Sequence, residues 1–311
     1  MAAPLVVTNF RHSFDAVAAV NGISFSIQEG EIFGLIGPDG AGKTTTMRAM
    51  AGLIDPTGGT IRVQSCDPRD RISGVREQLG YMPQRYSLYG DLSVGENLRF
   101  FANLFCLNRR EFEARKKRLL AITRLDTFVD RRAEALSGGM YKKLALSCAL
   151  LHQPKVLLLD EPTNGVDPIS RIELWDLLYT FLAEGMAIAV STSYMDEAAR
   201  CTRVGILHQG NLLAQGTPEE MVDGMNAAVV SVDASIELIE TLFAPSPGEF
   251  GIISMTPRGH KARLVIAPNK IVGVMERLQA ASTHAAPTAA GFEDLFLSTV
   301  STANSEVSLY G

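Results

Sequence analysis

No run of about 20 apolar residues, the length that crosses a bilayer as a helix, occurs in this 311-residue sequence. Residues 1–10 lack a charged stretch leading into a long apolar one, so nothing there reads as a secretory leader. A basic excess is missing too. The net charge of −5 argues against nucleic acid as the main partner, because phosphate-backbone binding needs a basic surface. Cysteine is sparse: Cys66, Cys106, Cys148 and Cys201 stand far apart, with no CxxC pair and no histidine at metal-ligand spacing. Reduced thiols are expected, not a disulfide framework or a zinc site. No internal repeat occurs. The expectation is a protein that works in water and does any membrane work through a partner.

What is present points to an α/β chain. Hydrophobic residues make up 46%, enough for a full core, and the length suits one large domain with a small one appended. Short apolar runs predict strands over 5–8, 23–27, 32–36, 60–63, 156–160 and 187–192. Gln28-Glu29-Gly30-Glu31 reads as a hairpin-like turn between the second and third of these. Helices are expected over 44–52 and 168–182, and a hairpin across Gln209-Gly210. Between 94 and 127, Leu98, Phe101, Leu104 and Phe105, then Leu119, Ile122 and Leu125, recur at helical spacing and mark an inserted helical segment. Beyond about residue 223 the pattern becomes β-α-β-β-α with a closing helix over 291–300 and a polar, frayed tail, a small α+β unit.

The chemistry sits on two strand ends. Gly37-Pro38-Asp39-Gly40-Ala41-Gly42-Lys43-Thr44 satisfies GxxxxGK[ST], with a strand before it and a helix after it. Its glycines let backbone N–H groups turn inward around a β-phosphate, and the following helix adds its dipole. Lys43 brings positive charge to the β- and γ-phosphates, Thr44 a hydroxyl for Mg²⁺, and Thr45 a contact to the α-phosphate. The apolar run 155–159 ends in Asp160 and Glu161. Asp160 is placed to hold Mg²⁺, directly or through a water, and Glu161 to polarise the water that attacks the γ-phosphate.

Between these lies Leu136-Ser137-Gly138-Gly139-Met140. In that order the three motifs resemble the nucleotide-binding subunit of an ABC transporter, over about residues 5–218. The resemblance implies a fold: a phosphate-loop nucleoside-triphosphatase core of mixed sheet flanked by helices. Residues 1–222 would form the ATP-binding domain, with its helical subdomain at about 94–150, and residues 223–311 the C-terminal α+β unit. It implies that Ser137, Gly138 and Gly139 bind the γ-phosphate of ATP held by a second ATP-binding half in a head-to-tail dimer. Gln84, in Gly80-Tyr81-Met82-Pro83-Gln84, would reach Mg²⁺ and the attacking water, and residues 85–91 would receive the permease. Asp167, in Asn164-Gly165-Val166-Asp167-Pro168, would communicate across the dimer, and Phe14 would stack on adenine.

One position departs from the family. The histidine expected after the last sheet strand is Ser193, within Ser191-Thr192-Ser193-Tyr194-Met195-Asp196-Glu197-Ala198. A hydroxyl has neither the reach nor the charge of an imidazole. Either Glu161 and Lys43 suffice for slowed hydrolysis, or this half is the weak site of an asymmetric pair, such as the first half of a tandem-ATPase exporter. The closing segment from Ala290 to Phe296 resembles the end of a half in that drug-export class. The expected function is Mg-ATP hydrolysis that powers separate permease subunits, for export of drugs or similar compounds, at the cytoplasmic face of the membrane and without nucleic acid. The alternatives are a degenerate half that clamps nucleotide and a soluble ABC ATPase outside transport.

Overall fold

A computed structural model describes residues 3–70, 72, 74–85 and 88–308, without the side chains of 304–308. The chain divides into two compact units, residues 1–194 with 200–212, and residues 195–199 with 213–311.

In the first unit, β1 (Leu5–Phe14) and β2 (Val17–Ile27) pair antiparallel and run longer than their apolar cores predict. The chain then crosses to β3 (Ile32–Ile36), passes the glycine-rich loop into α1 (Lys43–Met50), and returns in β4 (Gly58–Val63). The order β2-β1-β4 makes a three-stranded sheet. Residues 28–31 are therefore not a hairpin turn, because β2 and β3 lie in different sheets. The Gly30 N–H donates to Gly185 O at 3.1 Å and the buried Glu31 carboxylate pairs with Arg203 at 2.9 Å. These bonds turn the chain into the second sheet, where every residue of β3 is buried.

That sheet holds β3 with the short β5 (Leu79–Met82), which sequence reasoning did not mark. The helical segment follows: α2 (Val94–Leu104), α3 (Arg109–Thr123) and α4 (Gly138–Leu150). Ser93 with Glu96, and Asn108 with Glu111, form capping boxes that start α2 and α3 where the sequence breaks. Next come β6 (Val156–Asp160), α5 (Pro168–Leu182), β7 (Ala187–Thr192), β8 (Arg203–His208) and β9 (Asn211–Gly216). The order is β5-β6-β7-β3-β8-β9, and every pairing from β5 through β8 is parallel. Strands covered on both faces read as continuous apolar runs, which is why β6 and β7 fall at the bounds predicted for them. Phe10, Ile23, Phe33, Met47, Met50 and Val156 fill a core shared by the two sheets and α1.

The second unit contains α6 (Pro218–Asp223), β10 (Ala228–Val232), α7 (Ile236–Leu242), β11 (Ile252–Arg258), β12 (Lys261–Ile266), α8 (Ile271–Ala280), β13 (Ala285–Pro287) and α9 (Phe292–Ser308). The order β11-β12-β10-β13, antiparallel throughout, turns the expected β-α-β-β-α into a split β-α-β fold. Val230, Ile239, Phe243, Leu264 and Leu278 form its own core. A bidentate pair, Arg263 Nε to Asp294 Oδ1 at 2.7 Å and Nη2 to Oδ2 at 2.6 Å, holds α9. The frayed tail expected at the end includes residues 309–311, which lie outside the described residues. Among the described residues no helix is long and apolar enough to cross a bilayer.

Candidate active site

Parallel pairing brings the C-terminal ends of β3, β6 and β7 side by side. After β3 the loop 37–42 closes on Gly42, whose φ of +105° a side chain would resist. A Cβ there would also approach Ala19 O to 2.6 Å. No side chain caps α1, so its first N–H groups remain available to a ligand. The Lys43 ammonium folds back over the loop and donates to Gly37 O at 2.8 Å and Pro38 O at 3.0 Å. The loop is tied to its neighbours by Gly37 N–H to Thr192 O at 3.3 Å and Gly210 N–H to Ala41 O at 3.0 Å. Asp39 and Gly40 are the exposed pair, Asp39 4.0 Å from Lys43 and Gly40 with φ +78° and open space at its Cβ position. Thr45 is half-buried.

Asp160 ends β6 directly opposite Ser191 of β7. Its Oδ1 accepts from Ser191 Oγ at 2.6 Å and from Thr44 Oγ1 at 3.1 Å. Its Oδ2 is buried with no hydrogen-bond partner. Burial pushes the Asp160 pKa up, the two hydroxyl donors oppose that, and the charge of Glu161 adds to it. A buried carboxylate oxygen left without a donor, beside a threonine hydroxyl, fits a hard divalent cation such as Mg²⁺.

Glu161 takes φ +48°, the left-handed region that non-glycine residues seldom occupy. This turns its carboxylate toward Lys43, 3.4 Å away. Glu161 Oε2 accepts from Gln84 Nε2 at 2.7 Å and from Asn164 Nδ2 at 3.0 Å. Its own N–H donates to Ser191, O and Oγ both at 3.1 Å. From α4, Lys142 Nζ donates to Gln84 O at 3.3 Å and to Glu161 O at 3.4 Å. Burial lowers the Lys142 pKa while the charges of Glu161 and Asp160 hold it up.

Lys43, Thr44, Gln84, Asp160 and Glu161 thus share one cluster, as the motifs predict. Ser191, Asn164 and Lys142 belong to it as well, and sequence reasoning gave them no role. Strand register brings in Ser191 and tertiary packing Lys142, while Asn164 reaches Glu161 within the turn that follows β6. The remaining candidates stand apart within this chain. Ser137 is exposed and caps α4 by accepting from Met140 N–H at 3.3 Å. Gly138 is exposed, and Gly139 packs so closely on α5 that a Cβ would collide with the Ser170 side chain. Phe14 is 50% exposed, edge-on to His12 at 4.5 Å, at the tip of the strand pair that passes the loop at Ala19. Ser193 follows Thr192 at the mouth of the loop, and its hydroxyl makes no hydrogen bond among the described residues. Asp167 caps α5 by accepting from Ser170 N–H at 3.0 Å. Of the segment expected to meet a permease, Tyr86 and Ser87 lie outside the described residues. Tyr89 is held by the buried Asn97, with bonds of 3.0 Å in each direction. A cavity of about 290 Å³ lined by Arg115, Leu119, Lys155 and Phe181 shares no residue with the cluster.

Known proteins share sequence and fold with this chain. The ABC transporter family profile matches residues 20–164. The probable multidrug ABC transporter ATP-binding protein YbhF of Escherichia coli (strain K12) is 41% identical over 208 residues, 67% of this chain, which spans 36% of that relative's length. Nod factor export ATP-binding protein I of Burkholderia lata is 39% identical over 222 residues, 71% of this chain and 73% of the relative. Among solved structures, an ATP-binding subunit of an ABC transporter matches with TM-score 0.65 and 31% identity, over 70% of this chain and 92% of the other. The cbiO1 protein of Clostridium perfringens, part of the ABC transporter complex cbiONQ, matches with TM-score 0.66 and 28% identity, over 80% and 98%. A phosphate loop facing an Asp-Glu strand end, in a fold and sequence shared with these relatives, means that the chain belongs to the ATP-binding proteins of ABC transporters.

Proposed function

We infer that the chain binds Mg-ATP, hydrolyses it, and drives a separate membrane permease in export. The observation that carries this reading is the convergence of Lys43 and Gln84 on Glu161, next to an Asp160 oxygen with no donor. Lys43 leaves the Gly37 and Pro38 carbonyls for the β- and γ-phosphates when nucleotide enters the loop. Glu161 takes the proton of the attacking water, and the Gln84 amide orients both. Thr44, Asp160 and Gln84 would hold Mg²⁺, whose chemistry is to neutralise charge on the phosphates. Phe14, exposed beside the loop, stacks on adenine.

Ser137 and Gly138 are exposed at the N-terminus of α4, available to the nucleotide of a second ATP-binding half in a head-to-tail dimer. The exposed Tyr89 and Phe100, edge-to-face at 4.6 Å, offer an aromatic surface to permease subunits at the inner face of the membrane. Export is supported by the multidrug and Nod factor names of the relatives. A degenerate half that clamps ATP is the second reading, favoured by the short side chain of Ser193. The C-terminal unit is read as an accessory domain.

Calorimetric titration of ATP with and without Mg²⁺ tests the site. Tight binding that needs Mg²⁺ in the wild type and loses that need in Asp160→Asn supports it. Equal affinity in both proteins under both conditions contradicts it.

A further inference from the structure

The helix that begins with the Ser137 turn also carries, little more than a turn later, the half-buried Lys142 and its amine. Its two acceptors are the main-chain carbonyls of Gln84 and Glu161, at 3.3 and 3.4 Å. The side chains of those same residues meet at 2.7 Å. Lys142 therefore closes a ring: amine to Gln84 backbone, Gln84 amide to Glu161 carboxylate, Glu161 backbone to amine. The Glu161 carbonyl is free for this because β6 ends at Asp160 and the left-handed turn takes it out of the ladder. Its other donor is Asn164 N–H at 3.2 Å. Even a half-buried lysine is a costly way to dock a helix, and an apolar side chain would do that with less desolvation. What the amine adds is two directed bonds to the two residues facing the attacking water.

We propose that Lys142 is a positioning residue for hydrolysis, locking the backbones of Gln84 and Glu161 together from α4. Their alignment then depends on where α4 sits. On the reading above that the exposed Ser137 and Gly138 meet the nucleotide of a second half, Lys142 would make water alignment in one site answer to occupancy of the other. This rests on the reading above that Gln84 and Glu161 orient the water.

The test compares Lys142→Met, Lys142→Arg and Glu161→Gln with wild type in the purified full chain. It measures single-turnover and steady-state phosphate release, affinity for the fluorescent analogue TNP-ATP, and Tm. A misaligned water costs up to about 100-fold. Lys142→Met is expected to lose about 10- to 100-fold in kcat, with KM and TNP-ATP affinity changed by less than about 3-fold and Tm nearly unmoved. Lys142→Arg, which can donate to both carbonyls, is expected to recover most of the rate. A Lys142→Met rate equal to wild type, with Glu161→Gln inactive, overturns the role of Lys142 alone. Loss of nucleotide affinity and Tm together with rate overturns it in favour of simple helix docking. A Glu161→Gln rate equal to wild type overturns the reading of Glu161 and the proposal with it.

Discussion

The Lys43 ammonium and the Glu161 carboxylate lie 3.4 Å apart, with 4% and 7% of their side chains exposed. Each neutralises the other in a site where either charge alone would be poorly solvated. On the proposed function, nucleotide phosphates would compete for Lys43 and release Glu161 to act on water. Glu161→Gln keeps the volume and the contacts to Gln84 and Asn164 but removes the proposed base. Hydrolysis should fall by about 100- to 10,000-fold, while equilibrium ATP affinity, measured by calorimetry, stays at or above the wild-type value.

Gly139 leaves no room for a side chain against Ser170. Gly139→Ala should lower stability by about 1–3 kcal/mol through overpacking. Ser170→Gly in the same chain removes the obstructing atoms, and its N–H can still donate to Asp167. Thermal melts of the two single variants and the double variant should show recovery in the double. Simple addition of the two losses would speak against the close approach of these helices.

His152 stacks on Phe105 with ring centroids 3.8 Å apart, and its Nε2 lies 3.1 Å from Leu79 O. Burial pushes its pKa down to about 4; the Leu79 hydrogen bond opposes this and the charge of Arg115 adds to it. Above pH ~6.5 the ring is neutral in both folded and unfolded chains. As pH falls below that, the unfolded chain takes a proton that the folded one refuses. Stability is therefore lost between pH ~6.5 and ~4, by up to about 3 kcal/mol. His152→Phe keeps the stack and cannot titrate. Its Tm should fall less steeply than wild type across this window, and parallel curves would contradict the assignment.

Ser193 follows Thr192, whose carbonyl accepts from Gly37 N–H of the phosphate loop at 3.3 Å, at the position where the family resemblance implies an imidazole. Ser193→His should raise the single-turnover rate by about 10-fold or more, since one lost transition-state donor costs about 100- to 1000-fold. An unchanged rate would mean that this half works without such a contact and removes support for an asymmetric, weak site.

The parts of this site that are local in the chain were legible in the sequence. The phosphate loop lies within one turn and its two flanking elements, and the apolar strand names its own acidic end. Helix α5 was legible for the same reason, since Pro168 starts it and Asp167 caps it. Ser191 was not, because its partnership with Asp160 depends on the register of two strands 31 residues apart. Lys142 was hidden by distance: its acceptors lie 58 residues before it and 19 after it. The strand β13 is Ala-Ala-Pro, a sequence without strand propensity that pairs only because β10 presents an open edge. Residues 28–31 have a turn's composition, and composition does not tell a turn within one sheet from a crossing into another.

The most direct test of the central claim is release of inorganic phosphate from Mg-ATP by the purified chain, against Lys43→Ala as background. Release above that background, abolished when Mg²⁺ is chelated, is expected of an ATPase built on Lys43, Asp160 and Glu161. Release equal in the two proteins, with ATP bound equally well by both, would contradict it.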